Sequence, residues 1–134
     1  MKRPVLAFIA AVLIWVLVAS LLDRGLRLFL DGYAAAEPAL SFTLAMMVWR
    51  LVVGALASLA AGAVIERIAP GSWRTAWVFG ILWLLVFIPT HVKLWHVFPL
   101  WYHLTFLGTL VPLVLLGFKL ASGQRARRGA SPVP

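Results

Sequence analysis

Residues 4–22 read PVLAFIAAVLIWVLVASLL, a run of 19 residues without a charged side chain. A hydrocarbon core of about 30 Å needs about 20 apolar residues at a rise of 1.5 Å each, so this run predicts a transmembrane helix. Three further apolar runs follow, at about residues 40–66, 75–92 and 100–119. Lipid offers no hydrogen-bond partner to free backbone groups, so each run should be helical. The sequence therefore predicts an all-α integral membrane bundle of four transmembrane helices.

The composition of the chain supports this fold and excludes several classes of function. Of its 134 residues, 63% are hydrophobic and 12% are charged, whereas a soluble domain has about 45–50% apolar and about 25% charged residues. The sequence contains no cysteine, which excludes thiol catalysis, Fe–S ligation and cysteine-based zinc sites. The net charge of +8 comes from cations at the ends of the apolar runs. This distribution predicts contact with the lipid bilayer and not with nucleic acid.

The positions of the cations also predict an orientation. If the N-terminus is cytoplasmic, eight cations flank the helices on the cytoplasmic side and three flank them on the outer side. The eight are Lys2, Arg3, Arg67, Arg74, Lys119, Arg125, Arg127 and Arg128, and the three are Arg24, Arg27 and Lys93. Cytoplasmic loops of membrane proteins carry the excess of lysine and arginine, so both termini are expected to be cytoplasmic.

Two segments are expected to lie outside the transmembrane helices. Residues 23–39 form a predicted outer loop, whose RGLRLFL core should lie in the interface as one or two helical turns. Residues 121–134 are basic and rich in Pro and Gly, and they predict a disordered cytoplasmic tail close to anionic lipid. The N-terminal MKR and the VAS at 18–20 also fit a cleaved signal peptide, but the apolar run continues past that site, which favours an intact first helix.

Arg50 interrupts the second apolar run near its middle. A charged side chain at that depth is costly in lipid, so Arg50 should face protein or water. Gly54, Ser58 and Gly62 follow at i+4, i+8 and i+12, nearly on the same face of the helix. Small residues in such a stripe let helices approach closely and predict a helix-packing face.

Two interpretations of Arg50 follow from its position. The first is a structural arginine that ties the outer loop to the bundle, with Asp23, Glu37, the Tyr102 hydroxyl or a backbone carbonyl freed by Pro89 as its acceptor. The second is a contact for an anion or a lipid headgroup. The structural interpretation is the preferred one.

Residues 91–104 read HVKLWHVFPLWYHL and contain all three histidines, His91, His96 and His103. Aromatic rings are common at the membrane–water interface, so the segment is interpreted as an interfacial belt. The histidines also define an alternative site for Zn²⁺ or Cu²⁺ with outer carboxylates, or for haem between His91 and His103. However, His91 and His96 are five residues apart and do not share a helix face, which favours the belt over a cofactor site.

The stretches FIPTHVKLWHVFPLWYHLTFLGTLVPLVLLGFKL (87–120) and RLVVGALASLAAG (50–62) resemble small, uncharacterised four-span proteins of bacterial inner membranes. The resemblance rests on the aromatic–proline turn, the PL-x₂-LG-x-L helix after it and the small-residue second helix. It implies a location in the bacterial inner membrane and supplies no catalytic residues.

These observations predict a small multi-pass membrane protein that is not an enzyme. We expect it to act by packing with itself, as a homo-oligomer, or with a larger membrane partner through the Arg50/Gly54/Ser58/Gly62 face. One alternative is an outer-face metal- or haem-binding redox protein that uses His91, His96 and His103. Another is a small anion transporter or channel that uses Arg50. Proton-coupled export is disfavoured because the apolar runs contain no interior carboxylate.

Overall fold

The computed structural model describes residues 2–130, which form four long helices and one short helix. They are α1 (Lys2–Phe29), α2 (Tyr33–Ala36), α3 (Leu44–Ile68), α4 (Trp73–Lys93) and α5 (Leu100–Gly129). The four long helices are each long and apolar enough to cross a membrane, and no strand occurs between residues 2 and 130. The prediction of an all-α bundle of four transmembrane helices is confirmed.

The first helix is longer than the apolar run that predicts it. Residues 23–29 belong to α1, so the helical turns expected for the RGLRLFL core continue the first helix without a break. An ion pair one helical turn apart, with Arg27 Nε 3.3 Å from Asp23 Oδ2, supports the extension because such i,i+4 pairs stabilise a helix. The chain reverses only at Gly32, whose φ of 77° suits a glycine.

The last helix also extends beyond its prediction. Residues 121–129 continue α5, so the predicted disordered tail is wrong over this stretch, and residues 131–134 of that tail lie outside the described range. The extension is rich in Ala, Gln and Arg, which favour helix. It is also held to α3, because Arg125 Nη2 lies 2.8 Å from Glu66 Oε1.

The central helix is α3, which packs against α1 on one side and α5 on the other, while α4 packs mainly against α5. The backbones of α3 and α5 are in direct contact. A Cβ atom at Gly62 would overlap the Val114 carbonyl, and one at Gly117 would overlap the Leu59 carbonyl. Two glycines, one from each helix, therefore set the distance between these two spans.

Aromatic side chains fill the space between α1 and α4. The ring of Trp15 lies 5.4 Å from that of Trp83 and 5.1 Å from that of Phe87, and Phe8 contacts the buried Phe79 at 5.6 Å. Edge-on and tilted aromatic pairs of this kind add to the energy of burial. They connect two helices whose backbones make few contacts of their own.

The stripe of Gly54, Ser58 and Gly62 is a helix-packing face, but its partners belong to the same chain. Ser58 is buried, accepts a hydrogen bond from Trp15 Nε1 of α1 at 3.1 Å and donates one to the Gly54 carbonyl at 2.8 Å. The glycines face Phe106 and Val114 of α5. The expectation that this face packs against another chain is therefore wrong, because α1 and α5 already cover it.

The Gly62 contact predicts a selective loss of stability. Gly62→Ala should lower the free energy of unfolding by about 1–3 kcal/mol, since its methyl group must push the Val114 backbone away. Gly108→Ala is the matched control because Gly108, also within a helix, has no atom within 4 Å of the added Cβ. Thermal unfolding in mild detergent measures both variants, and equal stability of the two would contradict the close contact.

Candidate functional site

Apart from Ser58 in the middle of α3, the buried polar and charged side chains among the described residues lie at the two ends of the bundle. The end that carries α2 includes the C-terminal ends of α1 and α4 and the N-terminal ends of α3 and α5; we call it the α2 end. The opposite end carries both chain termini and the α3–α4 turn, and we call it the basic end. Because the four spans are antiparallel, Arg50 and the three histidines belong to the α2 end.

Arg50 is bound to Tyr33 and Asp23 at the α2 end. Its Nη1 donates a hydrogen bond of 2.7 Å to the Tyr33 hydroxyl and lies 3.7 Å from Asp23 Oδ1. The Tyr33 hydroxyl in turn donates a 2.8 Å hydrogen bond to the same Asp23 oxygen. The Arg50 guanidinium also lies over the Phe42 ring, 4.7 Å from its centroid, in a cation–π contact. Through these contacts Arg50 connects α3 to α1 and α2.

A second arginine completes this cluster on its exposed side. Arg27 lies 3.3 Å from Asp23 and donates a 2.8 Å hydrogen bond to Glu37 Oε1. Asp23 is thus a partner of Arg50, as expected, and the Tyr102 hydroxyl also interacts with Arg50, whereas Glu37 pairs with Arg27 instead. The two arginines and two carboxylates balance in charge, so the structural interpretation of Arg50 fits the geometry.

Tyr33 is the residue of this cluster that the sequence did not reveal. Its contact with Asp23, ten residues earlier, depends on α1 running to Phe29 and on the reversal at Gly32. Tyr33 is fully buried. This burial and the hydrogen bond to the Asp23 carboxylate raise the pKa of Tyr33 to about 12, although the nearby Arg50 acts in the opposite direction.

A cavity of about 300 Å³ lies beside the Arg50 cluster. Its lining combines charged, hydroxyl and aromatic side chains from α1, α3, α4 and α5: Trp15, Ala19, Ser20, Asp23, Arg50, Val53, Gly54, Phe87, Tyr102 and Phe106. A volume of this size lies at the lower end for small-molecule sites, which combine apolar walls with a few polar groups. The cavity therefore has the size and composition of a binding site.

One donor at this cavity lacks an acceptor. The Nε atom of Arg50 is buried and has no hydrogen-bond partner among the described residues. A buried N–H without an acceptor costs about 1–3 kcal/mol. Other atoms of the Arg50 side chain, which is 30% exposed, line the cavity, so the cavity favours a ligand that presents an acceptor oxygen.

Two of the three histidines meet, and the third does not join them. His91 Nδ1 and His103 Nδ1 are 2.8 Å apart in a buried hydrogen bond, whereas His96 is exposed. From Lys2 to Ala130 no three His, Asp or Glu side chains are close enough to hold a metal ion together. A metal needs about 2.0 Å to each imidazole nitrogen, and the two facing nitrogens leave no room for one between them. The proposed three-histidine site is not formed, and the His91–His103 pair cannot hold haem iron between its Nδ1 atoms.

The hydrogen bond between the histidines determines how their protons are arranged. One Nδ1 must donate and the other must accept, so at most one ring carries a proton at that position. His103 Nε2 is buried without a partner among residues 2–130. A proton on that atom would be an unpaired buried donor, so we infer that His103 donates from Nδ1 and His91 accepts.

The surroundings of the histidines are aromatic, as the belt interpretation expects. His103 stacks on Trp95 at 5.0 Å, and His91 stacks on Phe106 at 4.8 Å. The turn between α4 and α5 ends at Pro99, directly before α5, where a missing N–H does no harm. Because Phe106 also lines the cavity, the histidine pair supports one of its walls.

Comparison with known proteins gives no further guide to this site. No protein-family model, no curated protein and no solved structure matches the chain.

The Tyr33 hydrogen bonds predict a pH-dependent contribution to stability. Because the pKa of Tyr33 is raised from 10 to about 12, its stabilisation is present below pH 10 and is lost as the pH rises toward 12. Tyr33→Phe should lower the free energy of unfolding by about 1–3 kcal/mol at neutral pH. The difference between wild type and variant should then shrink between pH 10 and pH 12 in thermal unfolding. A difference that stays constant over this range would show that the hydroxyl does not titrate as described.

Proposed function

We propose that this chain is a non-enzymatic membrane protein that binds the oxyanion of a small ligand or lipid headgroup in the cavity at the α2 end. The observation that carries the proposal is Arg50, whose side chain is 30% exposed and lines a cavity of about 300 Å³. An arginine presents its N–H groups in a planar fork that suits carboxylate and phosphate oxygens. Arg50 Nη1 donates to Tyr33, so the cluster holds the guanidinium in place at the wall of the cavity.

The other walls of the cavity restrict the ligand further. Asp23 and Ser20 contribute acceptor oxygens, and Trp15, Phe87 and Phe106 contribute aromatic rings. A ligand that combines an oxyanion with an ammonium or hydroxyl group would use both sets of contacts, since aromatic faces attract cations. The zwitterionic phosphatidylethanolamine headgroup has this chemistry, and so does a small amino acid.

Binding is favoured over conduction by the packing below the cavity. The centre of the bundle is filled by Ala57, Ala61 and Phe79, which are fully buried, and by the Trp15–Trp83 contact. An anion that reaches Arg50 therefore meets a packed hydrophobic core. A channel would require this core to open, whereas a binding site does not.

The proposed binding site can be tested through Arg50 itself. Arg50→Lys keeps a positive charge next to Tyr33 and Asp23 but removes the planar fork of N–H donors, so the bundle should fold while oxyanion binding weakens about tenfold or more. Arg24→Lys is the matched control, because Arg24 is an exposed arginine at the same end. Native mass spectrometry in mild detergent would measure binding of short-chain phosphatidylethanolamine, glutamate and inorganic phosphate to the three proteins.

Two results would decide between binding and a purely structural arginine. Saturable binding that Arg50→Lys weakens and Arg24→Lys does not would support the cavity. The ligand that binds, phosphatidylethanolamine or one of the two soluble anions, would then identify the source of the oxyanion. Absence of binding by the wild-type protein, or equal binding by all three proteins, would leave Arg50 as a structural residue.

We also propose that the α2 end faces the periplasm of a bacterial inner membrane, with both termini in the cytoplasm. The chain contains no cysteine, so single cysteines report orientation without background. Ser41→Cys, at the α2 end, should react with a membrane-impermeant maleimide in intact cells with permeabilised outer membranes. Gln124→Cys, in the α5 extension, should react only after the inner membrane is opened. The reverse pattern would place the cavity on the cytoplasmic side.

A further inference from the structure

The basic end of the bundle contains a groove between the last turn of α3 and the C-terminal extension of α5. Its volume is about 300 Å³, and its lining residues are Glu66, Arg67, Ala121, Gln124, Arg125 and Arg128. The groove exists because residues 121–129 continue the helix instead of forming a loose tail. It is separate from the cavity at the α2 end and shares no residue with it.

A buried carboxylate fixes the geometry of this groove. Glu66 is only 1% exposed, and its Oε2 accepts a 2.8 Å hydrogen bond from the Gly71 backbone N–H. Its Oε1 lies 2.8 Å from Arg125 Nη2, which makes the two side chains an ion pair. The N–H of Arg125 does not point along a regular hydrogen bond to this oxygen. A buried carboxylate needs such partners, so the Glu66–Arg125 pair holds the α5 extension against α3.

Positive charge in the groove exceeds what Glu66 can neutralise. The lining holds three arginines and one carboxylate, a net charge of +2. Arg67 and Arg128 are exposed; Arg67 directly follows Glu66 on α3, and Arg128 lies three residues after Arg125 on α5. Arg67 and Arg128 repel each other and the nearby Arg125. An anion bound between them would relieve that repulsion. Phosphate is the group that clustered arginines bind most effectively, through bidentate hydrogen bonds.

The tryptophans at this end indicate the depth of the groove in the membrane. Trp73 and Trp77, at the start of α4, are 43% and 49% exposed, and tryptophan concentrates at the level of the lipid headgroups. The Trp73 ring contacts Phe118 of α5 at 4.5 Å. Arg125 follows Phe118 by seven residues, or about 10 Å along the helix axis. The groove therefore opens at, or just beyond, the headgroup level.

From this charge, rigidity and depth we propose that the groove binds a phosphate group, supplied by an anionic phospholipid headgroup. A soluble phosphate compound offers the same chemistry, so the source must be separated by experiment. Arg67 and Arg128 contact the phosphate, Gln124 adds an amide donor, and Arg125 keeps its bond to Glu66. This site lies at the opposite end of the bundle from the proposed oxyanion cavity and does not depend on it.

The test compares two double variants that remove the same charge at the same end of the bundle. Arg67→Gln/Arg128→Gln removes two groove arginines and leaves the Glu66–Arg125 pair intact. Lys2→Gln/Arg3→Gln is the control, because these residues line a different cavity, next to Ala69 and Pro70. Binding of short-chain phosphatidylglycerol, phosphatidylcholine and inorganic phosphate would be measured by native mass spectrometry in mild detergent.

We expect phosphatidylglycerol to bind the wild type and the control variant alike, and the groove variant about thirtyfold more weakly, at about fivefold per arginine. Weaker binding of phosphatidylcholine would show that net negative charge is recognised. In another outcome, inorganic phosphate binds as tightly as phosphatidylglycerol and loses its binding in the groove variant. That result would support the groove as a phosphate site and identify a soluble compound as the source of the phosphate. Equal losses in both double variants would indicate general charge attraction and would overturn the proposal, as would no binding to the wild type.

Discussion

The close contact between α3 and α5 is the constraint on which the rest of this bundle depends. Without a hydrophobic force between helices in lipid, association relies on packing, and backbone contact gives the densest packing available. Gly62 and Gly117 each place a neighbouring carbonyl where a side chain would otherwise lie. This contact fixes α5, which carries Tyr102 of the cavity at one end and Arg125 and Arg128 of the groove at the other. Both proposed sites therefore use walls that the same helix pair holds in place.

The charged groups follow from a second constraint, which is that a buried charge requires partners. At the α2 end Arg50 obtains them from Tyr33 and Asp23. At the basic end Glu66 obtains them from Arg125 and the Gly71 backbone. In both cases these contacts lie beside a part of the chain beyond the apolar runs. At the α2 end they accompany the extension of α1 to Phe29 and the folding of α2 onto the bundle, and at the basic end they accompany the extension of α5 to Gly129. The polar groups thus shape the parts of the protein that lie beyond the apolar runs.

Much of this fold can be predicted from the sequence, because the length of an apolar run and the thickness of lipid determine the four spans. The ends of the helices cannot be read in the same way. The continuation of α5 is supported by the Arg125–Glu66 ion pair, which forms only in the folded chain, whereas the Asp23–Arg27 pair of α1 is local and can be read from its i,i+4 spacing. The partners of the Gly54–Gly62 stripe are likewise undetermined by sequence, since small residues pack equally well within a chain and between chains. Asp23 could be named as a partner of Arg50, whereas Tyr33 required the chain reversal at Gly32.

The unequal lengths of the helices give this protein a defined response to bilayer thickness. The apolar run of α4, at residues 75–92, is the shortest of the four and covers about 27 Å of a hydrocarbon core of about 30 Å. A thicker bilayer would therefore reach the limit of α4 first, by hydrophobic mismatch. The turn after α4 carries Trp95, whose ring stacks on His103. Strain on the shortest span would be transmitted first to the histidine pair, and from there to the Phe106 wall of the cavity.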